Sequence, residues 1–237
     1  MRQSPGATDG SVGPVAPGLE VPARLNLPAI ERTLRRVQER FGAINDQSSA
    51  RRDPMDDRVV ENMLAGYAFV DAAVTGGLQL FALGNLKHLL ELNTLVLCGT
   101  SEARRQAHAG HLRATERRFY GEHAAGIQDL VEWSAAHDQG SVWRRAAGTY
   151  VRLLSKPQLF IEGNHRTGAL VMSYVLMREG QPPFVLSEAN ATEYFDPSTR
   201  IRDTDKRSLR GVVRLTLSSR RLARLLRKHT DPGYLLA

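Results

Sequence analysis

The chain is short of cysteine, of aromatic residues and of long apolar runs. A single cysteine, Cys98, excludes an internal disulfide framework and fits a reducing compartment. Its neighbours Leu95, Val96 and Leu97 mark a buried, inert thiol. No run of residues reaches the length of a membrane span. The start, Met1-Arg-Gln-Ser-Pro-Gly, lacks an apolar core region, so no secretory signal is visible and a cytoplasmic setting is expected. There is no internal repeat, and no alternation of strands that would build a Rossmann-type sheet. Aromatics make up 6% of the residues and do not interleave with the basic ones, so no nucleic-acid motif is recognised.

What the chain does have is 237 residues and a net charge of +7. The length suits one good-sized domain with appendages. The basic surplus attracts phosphates without choosing among nucleotide, nucleic acid and lipid. Residues 1–22 are rich in Gly, Pro and Ser and are expected to be disordered, giving a tail over 1–25. Leu27, Ile30, Leu34, Val37 and Phe41 predict a helix capped by Asn26 and stopped at Gly42. That helix and a polar linker make up 26–54. Val59 to Asp71 predicts a second helix, broken near Thr75-Gly-Gly77. Leu80 to Leu97 predicts a third, with Leu83, Leu86, Leu89, Leu90, Thr94 and Leu97 turned inward. Leu112 to Tyr120 lacks an evident helical period and reads as a short hairpin. Helices are predicted again at 127–133 and 142–154, loops at 184–206, and a basic helix at 209–228 within a terminal segment 207–237. The expected class is all-α with one small hairpin.

The densest chemistry is Gln158-Leu-Phe-Ile-Glu-Gly-Asn-His-Arg166. Its last five residues are a carboxylate, a glycine, an amide, an imidazole and a guanidinium, and an apolar helical run follows from Ala169 to Met177. A polar loop feeding a helix N-terminus offers unpaired N–H groups and the positive dipole end, which suit a phosphate. Arg166 adds a fixed cationic fork. Glu162 is a hard oxygen ligand for Mg²⁺.

In register, Phe160, Glu162, Gly163, Asn164 and Arg166 resemble the Fic/Doc (Fido) signature, His-x-Phe-x-(Asp/Glu)-Gly-Asn-x-Arg. Flanking stretches over 55–200 are similar to that family too, including Gly110-His-Leu-Arg113 and Arg166-Thr-Gly-Ala-Leu170. The resemblance implies a Fic-fold helical bundle over 55–206 with a β-hairpin flap. It implies transfer of a nucleotidyl or phosphoryl group, from ATP or another nucleotide, to a hydroxyl of a protein target. By position, Glu162 would hold Mg²⁺. Gly163, Asn164, His165, Arg166, Thr167 and Gly168 would line the anion hole. Leu112, Arg113, Ala114 and Thr115 would dock the target as an added strand.

Two departures bear on catalysis. The family's base is Gln158, and a carboxamide has no useful basicity. The family's second Arg is Ala169. His165, in a slot usually held by Gly, is a substitute base to be considered, as are His108, His111, His123 and His137, each exposed by default. An inactive Fic-fold protein that binds a ligand or partner is the alternative reading.

Overall fold

The computed structural model describes residues 23–121 and 126–236. The predicted disordered tail lies outside them up to residue 22, as does His123. Among the described residues there are ten α-helices, a short 3-10 turn at Pro232–Tyr234 and two isolated β-bridges, but no strand.

Helix α1 (Leu27–Gln47) opens where the Asn26 side chain accepts the Ala29 N–H, with proline in the first turn. Ile30, Leu34, Val37 and Ile44 form its buried stripe. That stripe extends past Gly42, which is why the helix does not stop there as predicted: burial of Ile44 rewards one more turn. Helix α2 (Asp57–Thr75) is capped by Asp56 and ends at Gly76. Helix α3 starts only at Lys87 and runs to Cys98. Leu83, predicted to face inward, is 82% exposed in the turns that precede it. Gly84, at φ +89°, interrupts any helix there.

Helix α4 (Glu102–Ala107) follows, and α5 (Ala109–Phe119) stands where the hairpin over Leu112 to Tyr120 was predicted. Thr115 and Phe119, four residues apart, are the buried points of α5. The rest of that helix is wet and basic, so its apolar stripe is too narrow to show as a period. Helices α6 (Ile127–Ala136), α7 (Val142–Leu154) and α8 (Asn164–Met177) follow. The predicted loop over 184–206 holds α9 (Ala191–Asp203), whose Tyr194, Phe195, Ser198 and Ile201 are buried at helical spacing despite Pro197. Helix α10 (Leu209–Lys228) buries Leu215, Leu222, Ala223, Leu225 and Leu226. Val213 and Leu217 of the same helix are 62% and 50% exposed.

Helix α8 is the centre: eleven of its fourteen residues are buried. It packs against α7 on one side and α2 and α3 on another. Gly168 lets α7 approach, since a Cβ there would lie 2.7 Å from Tyr150 Cδ2. Helix α10 packs on α7 and α9, and α1 on α2 and α9. Both therefore share the core that surrounds α8, although the sequence sets them apart.

The two ends of the described chain meet. Leu25 pairs with Leu235 in an antiparallel bridge. Asn26 N–H donates to the Tyr234 carbonyl and Leu236 N–H to the Arg24 carbonyl, both at 2.8 Å. The Asp71 carboxylate takes the Leu25 N–H and the Arg24 guanidinium. Arg24 and Leu25, expected within the tail over 1–25, are thus held on the body of the protein.

Candidate phosphate-binding loop

The loop between α7 and α8 is anchored by Leu159 and Phe160, both buried, with Phe160 stacked on Phe119 of α5 at 5.7 Å between ring centres. It then turns through Gly163, whose φ of +76° and ψ of 5° lie in the left-handed region. A Cβ there would also sit 2.9 Å from Asn93 Nδ2. Asn93, on α3, donates to the Glu162 carbonyl and the Thr167 hydroxyl, each at 3.0 Å. Asn164 holds the other side. Its Oδ1 accepts the Phe160 N–H at 2.9 Å, and its Nδ2 donates to the Phe160 carbonyl at 2.8 Å.

These clamps leave the start of α8 open. Its first intrahelical bond runs from Thr167 N–H to the Gly163 carbonyl. The N–H groups of Asn164, His165 and Arg166 have no acceptor among the described residues. Beside them, the Arg166 guanidinium is largely buried and donates to the Val96 carbonyl at 3.3 Å. Burial pushes its pKa down, against the pull of Glu162, Asp56 and Asp53. It remains charged. The Glu162 carboxylate stands at the rim, 63% exposed, with His111 Nε2 3.9 Å away.

A cavity of about 320 Å³ opens below the loop. Glu162 to Arg166 and Ala169 form one wall. Leu34 and Phe41 of α1, Met63 and Tyr67 of α2, and Phe195 of α9 are among its apolar lining. Arg52 enters from the segment read as a plain linker. Its Nη2 donates to the Phe195 carbonyl, Ser198 Oγ and Thr199 Oγ1, and its guanidinium lies 4.2 Å from the Phe195 ring centre. Its Nε is buried with no partner. Nothing in the local sequence marks Arg52, because the groups that hold it lie about 145 residues further on, in α9.

The predicted site residues separate into two sets. Glu162, Gly163, Asn164, His165 and Arg166 line the cavity together. Thr167 and Gly168 do not: the Thr167 hydroxyl is spent on Asn93, and Gly168 packs under Tyr150. Gln158 also lies off the cavity, with its carbonyl taking Nε and Nη2 of Arg118. Leu112, Arg113, Ala114 and Thr115 belong to α5. A helix bonds its own main-chain groups, so this segment offers no edge for an added strand, and the predicted docking mode is not available to it. Of the other histidines, His108 and His137 sit at helix C-termini. His111 alone among the described ones adjoins Glu162.

His165 turns inward. Its Nδ1 meets the Tyr150 hydroxyl at 3.1 Å, and its Nε2 is buried without a partner. Burial first, and then Arg52, Arg202 and Arg166, push its pKa down to about 3. The ring is neutral at physiological pH and a poor general base. A histidine whose folded pKa is depressed contributes stability that is intact above its unfolded value near 6.5 and is lost as pH falls toward the folded one. Between pH 6.5 and 5 the expected loss is about 1.6 kcal/mol, the slope rising toward its full value of about 1.36 kcal/mol per pH unit below the unfolded pKa. Denaturant unfolding of the wild type and of His165→Asn across this range measures it. The difference between the two should narrow as pH falls; a constant difference removes His165 as the cause.

No protein-family model matches this chain, and no curated protein or solved structure matches it either.

Proposed function

We propose that this chain is a divergent Fic-like protein that binds a Mg²⁺-nucleotide, with the phosphates on the open N-terminus of α8 and the nucleoside in the apolar cavity. One observation carries the reading. Three N–H groups with no acceptor among the described residues, the part-buried Arg166 fork and a rim carboxylate converge at the mouth of a single cavity. Two asparagines and a left-handed glycine hold that arrangement open. The N–H groups and the Arg166 guanidinium suit a phosphate, and Glu162 suits a cation bound with it.

The residues fit Mg²⁺ of one kind. Among the described residues no group of three acidic, histidine or cysteine side chains could hold a metal ion. Mg²⁺ is commonly held by one or two carboxylates together with substrate phosphates, and Glu162 on the rim, with Asp53 also lining the cavity, suits that mode. When bound, the ion would neutralise phosphate charge. Arg166 and the α8 N–H groups would orient the phosphates, and the cavity walls would exclude water from them.

Transfer to a protein hydroxyl is the activity this reading assigns. It would be slow, because neither Gln158 nor the neutral His165 can take the hydroxyl proton well. Loss of a general base costs about 10²–10⁴ in rate. A second reading, ligand binding without turnover, is favoured by Ala169. This small apolar side chain lines the cavity where the resemblance calls for a second phosphate-gripping Arg.

Thermal stability against ATP, GTP, UTP, CTP and CDP-choline, each with and without Mg²⁺, tests the common core of both readings. A ligand present at about 100 times its Kd should add roughly 2.7 kcal/mol. The gain should need Mg²⁺ and should vanish in Glu162→Ala and Arg166→Ala. Stability unchanged by every nucleotide would sink the proposal.

A further inference from the structure

Helix α10 presents a second surface, remote in character from the cavity. It carries six arginines and Lys228 and no acidic residue. Lys228 pairs with Glu193. Among the described residues, Arg210, Arg214, Arg220, Arg221, Arg224 and Arg227 form no ion pair. Elsewhere the protein matches many of its arginines to carboxylates, as with Arg24, Arg35, Arg105, Arg145 and Arg152.

Within this uncompensated charge lies an apolar stripe. Leu209 is 88% exposed, Val213 62% and Leu217 50%, with Val212 beside them at 48%. Leu209, Val213 and Leu217 recur every four residues and so stand one above another on the helix face. The opposite face is already spent: Leu215, Leu222, Leu225 and Leu226 are buried on the body of the protein. The outward stripe is therefore not a core contact, and its side chains cost free energy in water.

We infer that the outer face of α10 docks on an anionic phospholipid surface, with the helix in the interfacial plane. Charge complementarity selects a phosphate-rich partner. The aliphatic stripe selects among such partners. Nucleic acid would neutralise the arginines but leave Leu209, Val213 and Leu217 in water. A second copy would oppose two wholly basic faces. Protein hot spots favour Trp and Tyr, and α10 contains no aromatic residue. A bilayer satisfies both features, because aliphatic side chains enter the headgroup boundary while arginines reach the phosphates. This docking is peripheral, since none of the described helices is long and apolar enough to cross a membrane.

Co-sedimentation of the full chain with vesicles provides the test. One set is phosphatidylcholine alone; the other contains phosphatidylglycerol in equal part. Retention is expected on the anionic vesicles only, falling as salt rises. Arg210→Gln, Arg214→Gln and Arg221→Gln should each weaken it about fivefold. The triple variant Leu209→Ser/Val213→Ser/Leu217→Ser should weaken it about tenfold or more while melting as the wild type does, because these side chains are exposed. A control variant on α1, Arg32→Gln/Arg36→Gln, which removes two charges from another helix, should bind as the wild type. Absence of retention on anionic vesicles at low salt overturns the inference. So does undiminished binding by the triple serine variant, which would mean that charge alone is at work and would point to nucleic acid. Equal weakening by the α1 variant would also refute it.

Discussion

Replacing Asp129 by Ala is expected to remove about 3–5 kcal/mol of stability, a large part of the roughly 5–15 kcal/mol that holds a typical domain together. Asp129, in the first turn of α6, receives the Arg152 guanidinium of α7 through both Nε and Nη2. It also receives Lys206 Nζ at 3.0 Å. The Lys206 side chain is only 3% exposed, and its ammonium makes one further bond, to the Arg152 carbonyl at 3.1 Å. Burial alone would push the Asp129 carboxyl up. The Arg152 bond and the Lys206 charge outweigh it and hold the carboxyl below its ordinary value. Removing the carboxylate strands two cations, one of them with almost no access to water. Urea unfolding measures the loss. Glu188→Ala makes the comparison, since Glu188 meets Arg40 only at 3.9 Å with both side chains about half or more exposed, and such pairs contribute about 0–1 kcal/mol. If Asp129→Ala unfolded within 1 kcal/mol of the wild type, the triad would be ornamental to the fold.

Asn164→Ala is the second large effect, expected at about 2–4 kcal/mol with loss of ligand binding at temperatures where the fold survives. The Asn164 amide satisfies both main-chain groups of Phe160, and its side chain is buried. Each buried group left unpaired costs about 1–3 kcal/mol. Asn164→Asp should not rescue, because a carboxylate keeps the acceptor for the Phe160 N–H but turns a second acceptor toward the Phe160 carbonyl. Unfolding of the two variants, beside amide exchange at Phe160, decides the matter. Slow Phe160 exchange preserved in Asn164→Ala would mean that Asn93 and Gly163 suffice to shape the loop.

Much of the helical framework was legible because its signals are local. Asn26 and Asp56 cap helices where the periodic apolar residues begin, and the predicted bounds of α7 coincide with those observed. Failures came where a narrow contact replaces a broad one. Helix α5 is anchored through Thr115 and Phe119, and α9 conceals its period behind Pro197 and short polar residues. The loop chemistry was readable for a similar reason, since Glu162 to Arg166 are consecutive and cannot be far apart. Arg52, the buried orientation of His165 and the approach of His111 to Glu162 were not readable, because each depends on a partner on another helix. Thr167 and Gly168 sit just after the loop in sequence, yet the turn of α8 carries them inward, away from the cavity.

The pairing of residues 24–26 with 233–236 has a consequence for the order in which the molecule assembles. Asn26 and Gly233 are bonded across 207 residues of sequence. Closing so long a loop is costly in chain entropy, and the cost is recovered only when the intervening helices already hold the ends close. This clasp therefore belongs to the late, native side of the folding barrier. Loosening it should hasten unfolding and leave the refolding rate almost untouched. The same proximity makes the chain suited to circular permutation, with a short linker across residues 24 and 236 and new termini in the exposed Gly76-Gly77 turn.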